Sequence, residues 1–306
     1  MLDYRWVAVD FGGPEVLRRV EVDVPEPGHG QVRIEVRASG MNPADAKHIA
    51  PGQDRSLLPL TLGFEVSGVV SSAGSGTEFS VGDEVVTRAG GGYATAVMVP
   101  AAGVYRKPAT LTFPEAANLL LAGTTAADLL HTSRAASGET VLLHGGAGAV
   151  GVSLLQQARV LGVRVVATAA PANFPFVEHV GGIPVEYGPG LLGRVRAAAP
   201  EGIAAALDTV GSREAGDVSL VLVKHRSRVV TIADAPRAKA DGYVFVGGSN
   251  PASAPFRDRA APRIVALAAG GDLAVPLAAT FAFDDAPAAF AMLTSPHPPG
   301  KIALTT

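Results

Sequence analysis

The chain has 306 residues, 48% of them apolar and 17% charged, with a formal net charge of −3. It is too apolar for disorder, long enough for about two domains, and without the basic excess that nucleic acid demands of a partner. It contains no cysteine, which rules out disulfides, cysteine nucleophiles and thiolate metal sites.

Asp3 and Arg5 interrupt the N-terminal residues, which therefore lack the apolar run of a signal peptide; a cytoplasmic protein is expected. From there to about residue 110, Val7, Val9, Val20, Val22, Val32, Ile34 and Val36 alternate in short runs and predict β-strands. Turn signals separate them at Gly12-Gly13-Pro14, Pro25-Glu26-Pro27-Gly28, Asn42-Pro43 and Val81-Gly82-Asp83. The pattern then changes. Phe113-Pro114-Glu115 opens an Ala/Leu-rich helix, with Pro in its first turn. Apolar Val141–His144 predicts a strand, followed by a Gly-rich loop. Val150, Leu154, Leu155, Ala158 and Leu161 then recur at helical spacing until Gly162. Further strands are predicted at 163–168, 183–187, 204–209, 228–233 and 243–247. A helix at 261–269 and a last strand at 301–304 close the chain. Alternating strands and helices imply a doubly wound parallel sheet. The longest uncharged stretch, Thr140 to Ala158, carries four Gly, two Gln and a His, so no membrane span is expected.

Gly146-Ala147-Gly148-Ala149-Val150-Gly151 fits the dinucleotide pattern G-x-G-x-x-G. Glycine there permits the tight turn and the close approach of a pyrophosphate, and the helix N-terminus supplies N–H groups. With 36 Gly in the chain, the pattern arises by chance about 0.5 times. A second match does exist, Gly188-Pro189-Gly190-Leu191-Leu192-Gly193. Pro189 removes an N–H from that cradle, and Pro184 marks the preceding strand as an edge, so the second match reads as a turn. An NAD ribose is usually held by an acid about 20 residues past the last Gly. That place is Ala169-Ala170, and no Asp or Glu occurs from Val152 to Val177. Arg and Lys are also absent from Val165 to Gly193, leaving Thr168, Asn173 and Tyr187 as polar candidates. NADP is favoured by elimination.

In order, the chain carries Gly40-Met41-Asn42-Pro43-Ala44-Asp45, Leu62-Gly63-Phe64-Glu65-Val66-Ser67-Gly68-Val69-Val70 and Val81-Gly82-Asp83-Glu84-Val85-Val86. Gly91-Gly92-Tyr93-Ala94, Leu121-Ala122-Gly123-Thr124-Thr125-Ala126, the loop at 145–151 and Gly300-Lys301-Ile302 follow. Over nearly its whole length it resembles the zinc-free quinone oxidoreductase branch of the medium-chain dehydrogenase/reductase superfamily. The resemblance implies a GroES-like β-rich catalytic domain, residues 1–118 and 256–306, with a Rossmann domain, 119–255, inserted. It also implies NADPH, with NADH as a weaker alternative, a small-molecule electron acceptor, and a homodimer through the Rossmann sheet edge. Zinc relatives carry a ligand His where Phe64 stands, so no metal is expected.

By position, the resemblance puts Asn42 and Thr125 at the nicotinamide as the catalytic pair. It puts Gly146, Ala147, Gly148, Ala149, Val150 and Gly151 on the pyrophosphate, and Ile232, Ala233, Phe245, Val246 and Gly247 along the nicotinamide ribose. Lys301 approaches the cofactor from the last loop, and Tyr187 lies near the adenosine phosphate, with Thr168, Ala169 and Asn173. Many members have Ser and a basic residue where Ala170 and Ala172 stand. Bland readings compete with several of these. Asn42-Pro43 is also a plain turn signal. Asp45 and Lys47 suit a solvated loop pair. Glu65, in an apolar stretch, needs a buried partner and reads as structural. His144 reads as packing. No nucleophile–base set appears, which fits hydride transfer carried by a cofactor. Reduction of a quinone or similar activated carbonyl is the expected activity. Reduction of an enoyl or alkenal double bond on the same scaffold, or low-turnover NADPH binding, are the alternatives.

Overall fold

In a computed structural model, which describes residues 2–52, 54–248 and 250–306, the alternating residues of the first third form strands except Val9, which follows the strand Asp3–Ala8. The longest is Gln31–Met41, which buries Val32, Ile34, Val36 and Ala38. The described residues fall into two compact units, Met1–Leu121 with Val265–Thr306, and Ala122–Ile264. The boundaries expected from sequence were 118/119 and 255/256.

In the first unit, Gln31–Met41 pairs antiparallel with Glu65–Ala73, Ala96–Pro100 and Lys301–Thr305 within one mainly antiparallel sheet. Val66, Val70, Val85, Val97 and Val104 pack with its valines as one core. A second core gathers Trp6, Met41, Ile49, Leu62, Tyr93, Phe290 and Ile302. The last strand thus returns to Gln31–Met41: Ile302 pairs with Met41. Two elements the sequence pattern did not announce lie here, the strand Leu277–Ala282 and the helix Ala286–Leu293. The strand is half-exposed and lacks clean alternation, so periodicity had no grip on it.

The second unit is a six-stranded parallel sheet. Its spatial order is Ile183–Glu186, Arg164–Ala169, Thr140–His144, Ala205–Asp208, Val229–Thr231, Val244–Phe245. In chain order that is 3-2-1-4-5-6, the doubly wound dinucleotide-fold arrangement. Pro184 does sit in the edge strand, where its missing N–H costs nothing. Gly162, at φ 70°, ends the helix Ala149–Leu161 in a left-handed cap. The closing helix is longer than the sequence suggested, Ala254–Ala269, with Pro262 inside it rather than at its start. Its N-terminal part is fixed to the helix Leu120–Thr132 by the buried Arg257–Asp128 ion pair, 3.1 Å, and by His131 stacked on Phe256.

Candidate active site

The carboxyl ends of the parallel strands share one edge of the second unit's sheet, where α/β sheets take ligands. There the wholly buried Thr140–His144 strand runs into the glycine loop, and Gly148 is the N-cap of Ala149–Leu161. The first N–H groups of that helix have no intrahelical acceptor and carry its positive end. The three glycines do different things. A Cβ on Gly151 would stand 2.2 Å from the Gly145 carbonyl oxygen, and one on Gly146 would stand 2.7 Å from the Ala167 methyl. Both positions are closed by the fold itself. A Cβ on Gly148 would meet only the Gly145 oxygen, at an ordinary 3.5 Å, and Gly148 is exposed. Nothing in the fold itself therefore forbids a side chain at Gly148. The second glycine pattern is built otherwise: Gly188 and Gly190 take φ 93° and 88°, a left-handed turn before the helix Leu191–Ala198.

A cleft of about 500 Å³ opens at Gly148, within the range of organic-ligand sites. Of the predicted binding residues, Ala147, Gly148, Thr168, Ala169, Asn173 and Tyr187 line it together. Gly146, Ala149, Val150 and Gly151 belong to the adjoining loop and helical turn. Ile232 and Ala233 follow the strand Val229–Thr231, and Phe245, Val246 and Gly247 end or follow Val244–Phe245. These five sit at the same sheet edge but do not line the cleft. Val210, Ser212, Glu214 and Ala215 close its far side. Sequence reasoning missed Glu214. It comes from a different strand–helix connection, and only folding brings it there. His144 borders the cleft with a buried ring held by Ser219 Oγ at 3.1 Å. Burial lowers its pKa to about 4, so it is neutral at pH 7, consistent with packing. Its strand neighbour Asp208 is occupied by the Val210 and Gly211 N–H groups and the Thr231 hydroxyl.

The first unit holds a buried polar network. Because Ile302 pairs with Met41, Lys301 arrives beside Asn42. Lys301 Nζ donates to the Met41 carbonyl at 2.7 Å and to Asn42 Oδ1, and lies 3.7 Å from Glu65. Asn42 Nδ2 donates to Glu65 Oε1 at 2.9 Å, and the Leu121 N–H donates to Oε2 at 2.8 Å. Both ends of the Asn42 amide are thus held, which fixes its orientation. Glu65 has the buried partners its surroundings demanded. The structure corrects the reading of Asp45 and Lys47 as a solvated pair. Asp45 is fully buried, its Oδ2 accepting from the Asn42 N–H at 2.7 Å across the capping box that starts Pro43–His48. Burial lifts its carboxyl to about 7, against the lowering effect of that N–H. Burial likewise pushes the neighbouring Tyr93 phenol well up and the Lys301 amine down, the latter opposed by Glu65. The Tyr93 hydroxyl is near enough to influence Asp45, yet neither it nor Asp45 Oδ1 has a hydrogen bond of good geometry. Thr125 is buried in the helix Leu120–Thr132, in the second unit, whereas Asn42 belongs to the first.

Among the described residues no cluster of His, Asp or Glu could hold a metal, and no helix is long and apolar enough to cross a membrane. Residues 28–109 match the alcohol dehydrogenase GroES-like domain family, and residues 189–304 match the family described as zinc-binding dehydrogenase. The quinone oxidoreductase of Rattus norvegicus is 40% identical over 167 residues, 52% of this chain and 50% of that protein. The match thus spans about half the length of such curated relatives. A mycobacterial protein solved in complex with NADPH is 30% identical, with a TM-score of 0.85, covering 99% of this chain and 100% of that one. The Escherichia coli quinone oxidoreductase, also solved with NADPH, is 25% identical at a TM-score of 0.84, covering 99% and 100%.

Proposed function

The chain belongs to the medium-chain dehydrogenase/reductase superfamily and is similar to its quinone oxidoreductases, and from that membership we propose an NADPH-dependent, zinc-independent reductase of quinones or similarly activated carbonyls. The exposed Gly148 beside a cleft at the head of a helix carries this reading. The residues fit a dinucleotide: the loop leaves room at Gly148, the helix offers N–H groups, and Ala169-Ala170 leave space beside them. Bound there, the cofactor would supply hydride. Ala147 to Gly151 hold the pyrophosphate. Thr168, Ala169, Asn173 and Tyr187 flank the adenosine. Ile232, Ala233, Phe245, Val246 and Gly247 serve the nicotinamide ribose, as the family resemblance suggests. Asn42 and Thr125 act by positioning, since neither side chain exchanges a proton efficiently near pH 7. Lys301 acts through Asn42, whose amide it holds. NADH serves as a weaker alternative. The partner is a small electron acceptor, and a homodimer forms through the edge of the Rossmann sheet.

The test is turnover of NADPH with 1,4-benzoquinone against an α,β-unsaturated ketone, with metal analysis of the dialysed protein. Faster quinone reduction with far less than one zinc per chain is expected. Preference for the enone would move the assignment to double-bond reduction. A stoichiometric, chelator-sensitive zinc needed for activity would refute zinc independence.

A further inference from the structure

An NAD ribose is ordinarily recognised by an acid at the end of the second strand, which accepts from the 2′-hydroxyl. Here that strand ends in Ala169-Ala170. An acid nevertheless reaches the same edge from elsewhere. Glu214, in the first turn of the helix Arg213–Leu222, accepts from the Gly188 N–H at 2.8 Å through Oε2. Strand register says where that is. Ala169 pairs with Glu186, so Gly188 lies two residues past the pair, beside the turn that begins at Ala170. Adjacent strands stand about 4.8 Å apart, which puts the carboxylate within roughly 10 Å of Ala170. The cleft lining includes Ala169, Ala170, Tyr187 and Glu214 and contains no Lys or Arg.

We propose that Glu214 is a specificity-determining residue of this cleft: its carboxylate accepts the adenosine 2′-hydroxyl of NADH, repels the 2′-phosphate of NADPH, and so holds the preference between them small. This rests on the reading that the cleft binds a nicotinamide dinucleotide. Glu214 takes the place of the missing acid, delivered from the far side of the sheet edge. Its hydrogen bond to Gly188 fixes one oxygen and holds the carboxylate in the lining of the cleft.

The experiment titrates wild type, Glu214→Gln and Glu214→Lys with NADPH and with NADH, following cofactor fluorescence, with thermal melts alongside. Gln keeps an oxygen for the Gly188 N–H, so the turn is retained. Losing one like charge at this range should raise the ratio of NADH Kd to NADPH Kd about three- to tenfold. Lys should raise it further, mostly through tighter NADPH. A purely structural role would change both affinities equally. That result, or an unchanged ratio, overturns the assignment of Glu214 and leaves the dinucleotide reading standing. Wild-type protein that binds neither cofactor overturns the dinucleotide reading and this assignment with it.

Discussion

Alanine at Gly148 and at Gly151 should separate binding from folding, although both glycines belong to one motif. Gly148 has φ −76° and ψ 162°, which any residue adopts, and its Cβ would meet only one atom, at 3.5 Å. Replacing an N-cap Gly by Ala costs somewhat under about 1 kcal/mol. Restricting the unfolded chain returns about 0.4–1 kcal/mol. The net change is within about 1 kcal/mol, or about 3 °C for a domain of this size. Gly151→Ala drives a Cβ to 2.2 Å from a backbone oxygen and 3.0 Å from the Gly146 Cα, so the loop itself must move. Overpacking of that kind costs about 1–3 kcal/mol or more, a melting-point loss of several degrees. Binding responds differently. A hydrogen bond to a charged group is worth about 1.5–3 kcal/mol. A methyl at Gly148 that holds phosphate oxygens off the loop should therefore weaken NADPH at least about tenfold with the melt nearly unchanged, and Gly148→Val should abolish binding. Gly193 is the control, because it ends the second glycine pattern but a Cβ there meets nothing within 4 Å. Gly193→Ala should keep affinity and leave stability unchanged or slightly raised, since it lies exposed in the helix Leu191–Ala198. Calorimetric titration and thermal melts read both quantities. Wild-type affinity in Gly148→Ala, or wild-type stability in Gly151→Ala, would refute this division of roles.

Four further variants probe the buried network of the first unit and, at Thr125, the second. Glu65→Gln leaves the Lys301 ammonium buried without its counter-charge, and should cost about 3 kcal/mol in urea unfolding; an unchanged midpoint removes the network's structural role. Burial lifts Asp45 from an ordinary 3.8 to about 7. The folded chain keeps that proton between about pH 4 and 7 while the unfolded chain has lost it, so this contribution is full below pH 4 and falls away as pH rises through 7. Asp45→Asn, which keeps an oxygen for the Asn42 N–H, should flatten that fall by up to about 4 kcal/mol. Urea midpoints at about pH 5 and 8 that differ as they do in wild type argue against it. Asn42→Ala should lower turnover roughly 10- to 100-fold with NADPH affinity kept, and should also lose stability, because Lys301 and Glu65 each lose a partner. Thr125→Val should lower turnover more weakly. Unaltered turnover in the double variant would show that both residues merely pack.

What could be read without the structure was local. A buried strand, a glycine loop and a helix with its stop at Gly162 occupy consecutive residues, and backbone stereochemistry decides each within a few positions of itself. The same holds for the turn at Gly188 to Gly190, where Pro189 and Pro184 already argued against a phosphate cradle. Glu65 announced its need for a partner, because a carboxylate in an apolar run must be compensated, but nothing nearby in sequence named that partner. Lys301 reaches it only because the last strand pairs with Gln31–Met41 in a register that sets Ile302 against Met41. A shift of one residue would turn Lys301 to the other face. Asp45 misled for the same reason: its exposure depended on Tyr93 and the second core closing over it. Glu214 is the clearest case. Spacing rules search along the chain from the glycine loop, whereas this acid comes from a later helix and meets the cleft through its bond to the Gly188 N–H. Sequence determined most of the elements and where the glycine loop lies, but not the strand Leu277–Ala282 or the helix Ala286–Leu293. Which charges meet was left to sheet register and long-range packing, since these join residues that the chain itself keeps far apart.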